Sequence, residues 1–238
     1  AEYLVNSVAY ATRAEGVVTQ GWLDPILSLS ALMPDVFGNN ATGDYWYPGF
    51  NSAEVGGCFC GAITVLLALF ALVKHRKNSE VISHFSLAVL TGLTAFGIPP
   101  VYQIVTMLPG YQMSYNFRLV LPMAFSIIVL AVFGIQWFLD NKASLRYSTL
   151  MKSAITLMLI CMIGFSYLTL KFKDADTTEI RDDLLWACSI FFLAGILLPL
   201  VFGRKQSLMI SGWILILFVE LLAFGKGFNS EVSLTTLE

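Results

Sequence analysis

The chain has 238 residues, 57% of them hydrophobic and 13% charged, with a formal net charge of −2. Soluble domains carry roughly 25% charged residues, and the mean hydropathy here is +0.73, which excludes an ordinary water-soluble globule as the expectation. Lys and Arg are scattered rather than gathered into a tail or stripe, so nothing points to a nucleic-acid partner.

Residues 1–16 read as the end of an earlier helix, with no signal-peptide pattern, and the expectation is a fragment of a longer protein. After Asp24, the apolar residues Ile26, Leu27, Leu29 and Leu32 suit a short amphipathic helix with Pro25 in its first turn. Residues 33–50 are rich in Gly, Pro, Asn and Asp, which are turn formers. Residues 1–54 are therefore expected to form an extramembrane loop region on the bilayer surface. Trp22, Tyr45, Trp46, Tyr47 and Phe50 make an aromatic cluster there, suited to a membrane interface or to stacking on a sugar. Asn40-Ala41-Thr42 is a formal glycosylation sequon.

From residue 55 the pattern becomes that of an all-α polytopic membrane protein, with about six spans in 55–225 and an extracytoplasmic tail in 226–238. An α-helix needs about twenty apolar residues to cross a core of roughly 30 Å. Candidate spans are 55–73, 81–97, 119–139, 153–170, 184–202 and 208–224. Pro99-Pro100 ends the second, and the apolar piece 101–108 is too short to span, so it suits an interfacial or re-entrant helix. Residues 174–183 read as an acidic loop, with Arg181, Asp182 and Asp183 in solvent. Lys74, Arg76, Lys77, Lys142, Arg146, Lys152, Arg204 and Lys205 fall on one side, a larger set than the basic residues of the other. The positive-inside rule puts that side in the cytoplasm, and both chain ends outside. Gly56, Gly57 and Gly61 read as helix-packing positions.

Arg118 is the most telling charge. It follows Tyr111, Tyr115, Asn116 and Phe117 at the mouth of the longest apolar run. A guanidinium there can clamp a phosphate with its planar fork, or anchor the helix by snorkelling. Asp35 can cap a turn, or meet a metal or a substrate hydroxyl. Glu54, after Asn51 and Ser52, sits where a helix dipole favours a carboxylate. Glu220 is an acid inside a span, about one turn from its outer end, where it is costly and a functional suspect. Cys58, Cys60, Cys161 and Cys188 lie in apolar surroundings and read as inert thiols, Cys58 and Cys60 pointing apart on one helix. No His or carboxylate stands at ligand spacing to them, so no metal is assigned. His75 and His84 lie on the cytoplasmic half, away from the acids of the outer side, which argues against a His-based hydrolase.

Residues 32–38, Asn51 to Glu54 leading into 61–72, the stretch 108–118 and residues 220–229 together resemble the bacterial YfhO-type membrane proteins, themselves similar to the GT-C glycosyltransferases. The resemblance implies a bacterial cytoplasmic-membrane location and a polyprenyl-phosphate-linked sugar donor that modifies an extracytoplasmic glycopolymer or lipid. It implies that Arg118 binds phosphate, and that Asp35, Asn51, Glu54, Tyr115 and Asn116 shape the substrate pocket. No second Arg follows Arg118, where residues 119–122 are Leu-Val-Leu-Pro. The family's catalytic acid lies in an earlier outer loop, expected ahead of Ala1, so no catalytic residue is assigned. A divalent metal is compatible with that chemistry but not called for. The rival expectation is a non-enzymatic scaffold, or a transporter or flippase subunit with partner membrane subunits.

Overall fold

The computed structural model describes residues 21–38, 46–47, 58–108, 111, 115–140, 148–171, 177–202 and 205–228. The expectations placed on Asn51, Glu54, Tyr45, Phe50, the 40–42 sequon and the two chain ends lie outside these residues. Asp24 opens a 3-10 helix, Pro25–Ala31, by accepting a hydrogen bond from the Ile26 N–H at 3.2 Å. The elements that follow are α1 (Ala62–Lys74), α2 (Ser79–Ala95), α3 (Val101–Thr106) and a 3-10 turn (Asn116–Leu119) leading into α4 (Val120–Asp140). Then come α5 (Ser148–Lys171), α6 (Thr177–Phe192), a π turn (Leu193–Leu197), α7 (Leu198–Phe202) and α8 (Gln206–Phe228).

Four stretches are long and apolar enough to cross a membrane: Asn116–Asp140, Ser148–Lys171, Ile180–Val201 and Ser207–Gly225. The first two expected spans are realised differently. The helix expected over 55–73 begins only at Ala62 and has 13 residues, about 20 Å, which is short of a bilayer core. Cys58 and Cys60 therefore precede the helix instead of sharing it, and both are buried free thiols. The helix expected over 81–97 has 17 residues and stops at Ala95. Its end is a Schellman motif: Ile98 N–H donates to Leu93 O at 2.8 Å and Gly97 N–H to Thr94 O at 3.2 Å, with Gly97 at φ 63°. The expected acidic loop is also corrected, because Arg181, Asp182 and Asp183 lie on helix α6, where exposed Arg181 pairs with exposed Asp182 at 3.2 Å.

Helix α1 is the hub, packed against α4, α5, α6 and α8. It runs parallel to α4. Phe70 stacks on Phe138 with centroids 4.6 Å apart, and Lys74 Nζ lies 4.9 Å over the Trp137 ring. The backbones approach closely at Gly134, where a Cβ would collide with the Leu67 carbonyl oxygen. Counting back equally from that contact puts Ala62 level with Val129. The start of α1 is therefore about 16 Å below Arg118 at ~1.5 Å per residue, deep within the bundle. Short α3 has no buried residue and leaves Ile104 and Met107 exposed, in keeping with an interfacial helix.

The outward side of α4 is an apolar stripe. Leu121, Phe125 and Val132 are each about 60% exposed, and Ile128 shares their face. Arg118 stands at one end of this stripe, while Gln136 and Asp140, joined by a 2.8 Å hydrogen bond, close the other. From Arg118 to Gln136 is about 27 Å of helix, close to the thickness of a hydrocarbon core. Water would penalise such a face, whereas lipid does not.

Candidate functional site

At the Arg118 end the scaffold is built from three separate segments. Leu23 N–H donates to Ala95 O at 2.8 Å, and Phe117 N–H donates to Gly21 O at 3.1 Å. These bonds bring residues 21–23, the end of α2 and the mouth of α4 together. The Trp22 ring lies over Gly97, in space that a Cβ would fill, and meets Tyr102 edge-on at 4.8 Å. Asn116 is buried and its Nδ2 donates to Tyr111 O at 3.0 Å. Its side chain also hydrogen-bonds the Tyr102 hydroxyl; burial raises that phenol above its ordinary value, and the Asn116 bond opposes the rise. Asn116 thus braces the turn from inside, while Tyr115 and Arg118 are exposed.

Asp35 belongs to a different turn, 33–38, where its carbonyl accepts from Gly38 N–H at 2.9 Å and its side chain is half-buried. That turn is held by aromatic rings. Phe37 meets Trp46 at 5.5 Å and Tyr47 at 5.4 Å, and Trp46 Nε1 donates to Val36 O at 3.0 Å. The Tyr47 hydroxyl donates to Asp24 Oδ2 at 2.6 Å. Burial and the adjoining Asp24 carboxylate both push the Tyr47 phenol above its ordinary value. Tyr47 therefore serves as a buried tie as well as an interfacial ring, which its place in an aromatic run did not reveal.

The second locus is Glu220, on α8. It is 2% exposed, and α8 continues two turns beyond it to Phe228. It lies between one and two turns from the end of the apolar stretch Ser207–Gly225, where it was expected, and it stands level with the start of α1. There it resolves a problem that the short helix creates. The first N–H groups of any helix lack intrahelical partners, and Gly61 at the N-cap has no side chain to offer them. Glu220 Oε1 accepts from Ala62 N–H at 2.5 Å. Negative charge at the positive end of the α1 dipole adds to this bond. The other oxygen, Oε2, is buried with no hydrogen-bond partner.

Beside this carboxylate lies an apolar groove of about 120 Å³, floored by Ile63, Thr64 and Leu67 of α1 and walled by α4 and α8. Its α4 wall includes Ile128 and Val132, the same residues that form the outward stripe below Arg118. Gly61 sits at φ 95°, and a Cβ there would come within 2.6 Å of Leu217 Cδ1, 3.2 Å of Thr64 Oγ1 and 3.4 Å of Glu220 Oε2. The Leu217 side chain therefore packs directly against Gly61, where no Cβ fits without a shift.

Among the described residues no group of three or more His, Cys, Asp or Glu is placed to hold a metal ion. Arg118 and Tyr115 are thus displayed on one surface, Asn116 supports them, and Asp35 stands in its own turn. No family model matches this chain, nor does any curated protein or solved structure.

Proposed function

We propose that this chain is part of a glycosyltransferase-like membrane protein that holds a polyprenyl-phosphate-linked sugar, crosses the bilayer six times and carries Arg118 at its extracytoplasmic face. In this arrangement α1, too short alone, crosses with the help of the buried non-helical residues 58–61 that precede it, where lipid cannot reach their backbone. The observation that carries the reading is the placement of exposed Arg118 at the end of the exposed apolar stripe of Leu121, Phe125, Ile128 and Val132. An amphiphile with an anionic head and a long tail matches both at once: phosphate oxygens on the planar fork, hydrocarbon along the helix. Tyr115 and Trp22 offer exposed ring faces on which a sugar can rest.

The test is binding of a polyprenyl phosphate and of the corresponding polyprenol to the reconstituted protein, compared for wild type and Arg118→Ala. The reading expects the phosphate to bind better than the alcohol, with a loss of about tenfold in Arg118→Ala and partial retention in Arg118→Lys. Equal binding of the phosphate by wild type and Arg118→Ala would remove Arg118 from the site and leave it as an anchor. A second reading, a transporter or flippase subunit, is favoured by one feature: a helix that begins in mid-bundle beside a buried acid is a device transporters use to hold ions and substrates.

A further inference from the structure

We infer that the hairpin joining α1 to α2 is a binding site for an anionic phospholipid, whose phosphate lies against Arg76 and Lys77 while one of its chains follows the exposed face of Ile82, Phe85 and Val89. The inference concerns the end of the bundle opposite Arg118 and does not rest on the reading of that residue. It requires only that α4 cross a bilayer.

The hairpin is tightly built. His75 N–H donates to Ala71 O at 2.7 Å and closes α1, and Asn78 N–H donates to His75 O at 2.8 Å. Asn78 Oδ1 then accepts from Glu80 N–H at 2.8 Å and opens α2. Between these bonds Arg76 and Lys77 hold consecutive exposed positions. Residues 74–80 carry three cations against one acid, Glu80, and one of the cations, Lys74, already lies over the Trp137 ring. Asp140, at the same end, accepts from Gln136. Among the described residues no ion pair engages Arg76 or Lys77, so their charge is left for a partner outside the chain.

The same hairpin stands at the edge of the hydrocarbon. Lys74 over Trp137, and His75 at 6.2 Å from Phe133, set it level with the last turns of α4. From there α2 runs back along α4: Val81 packs with Leu130, and Gly92 faces Met123. Ile82, Phe85 and Val89 recur at helical spacing on one side of α2, and all three are exposed. From Ile82 to Val89 is about 10 Å of helix, within the roughly 15 Å depth of one leaflet's core.

Charge and depth together choose the occupant. A soluble anion would meet the cations and leave the apolar face bare. A zwitterionic lipid would cover the face and bring no net charge to the turn. A phospholipid with a net negative head answers both, since basic residues beside a span draw anionic headgroups.

The experiment uses the full chain in phosphatidylcholine nanodiscs with trace photoreactive lipids: phosphatidylglycerol and phosphatidylcholine bearing the same diazirine-labelled chains. At low ionic strength the phosphatidylglycerol probe should label the α2 peptide about tenfold more than the phosphatidylcholine probe. Replacing both cations (Arg76→Gln with Lys77→Gln) should bring that ratio close to one. Lys152→Gln with Lys205→Gln removes the same amount of charge from exposed positions elsewhere and should leave the ratio unchanged. Soluble glycerol phosphate in millimolar excess should not compete. Equal labelling by the two probes in the wild type would overturn the inference, as would a preference that survives loss of Arg76 and Lys77. An equal fall in the Lys152 and Lys205 variant would overturn it by assigning the preference to overall charge, and competition by glycerol phosphate would do so by reducing the hairpin to an anion site without a chain.

Discussion

Single side chains bear unusual responsibility where an apolar bundle must satisfy polar backbone. Glu220 is bonded by the Ala62 N–H, which has no helical turn before it. Glu220→Leu should leave the Ala62 amide buried and unpaired, costing about 1–3 kcal/mol, whereas Glu220→Gln should retain most of the stability; thermal unfolding in detergent separates the two. Equal melting of the Leu and Gln variants would contradict the capping role. Tyr47 makes the analogous tie outside the spans. Tyr47→Phe removes the bond to Asp24 and should cost about 1 kcal/mol. Because folding holds the neutral phenol, this contribution is whole below the ordinary tyrosine value of 10.0 and is lost as pH rises past it. The wild type should therefore lose more stability than Tyr47→Phe on going to strongly alkaline solution, and parallel pH profiles would show that the phenol is not held.

Elements succeed or fail here according to how much of their cause is local. The long helices α4, α5 and α8 are legible as apolar runs, since each contains enough hydrocarbon to specify its own span. Asp24 and Pro25 likewise announce a helix start, and the 3-10 turn Pro25–Ala31 forms there. Helix α1 is different. Its apolar run extends upstream of Ala62, yet the helix begins there because Gly61 adopts φ 95° and a carboxylate more than a hundred residues away, on α8, caps the freed amide. No pattern within residues 55–73 carries that information. The acid in α8 was visible as an oddity, but its partner was not. Helix α6 starts earlier than its hydropathy suggests, since Arg181 and Asp182 pair on its exposed face and need no burial to remain helical. At the Arg118 end, the aromatic and polar turn drew notice from sequence, whereas the bracing role of Asn116 depends on Tyr102, brought close by the intervening α3. The contact between α1 and α4 makes an element-level prediction. Gly134→Val places a side chain against the Leu67 backbone and should destabilise by about 1–3 kcal/mol or shift the two helices apart; a Gly134→Val protein with unchanged melting would contradict the close approach.

The described residues form a set of helices arranged around a short buried one, with polar groups gathered at two ends and the buried Glu220 carboxylate between them. Lys74 and Asp140 lie at one end and Arg118 at the other, separated by a face whose length matches a bilayer core. The proposed function depends on this geometry, because a phosphate at Arg118 requires its lipid tail to lie alongside α4. Substituted-cysteine labelling tests it most directly. With Cys58, Cys60, Cys161 and Cys188 replaced by Ala, a membrane-impermeant maleimide is applied to sealed vesicles carrying either Tyr115→Cys or Lys77→Cys. Tyr115→Cys should react only from the extracytoplasmic side and Lys77→Cys only from the cytoplasmic side; labelling of both from one side would contradict a bundle that crosses the membrane between them.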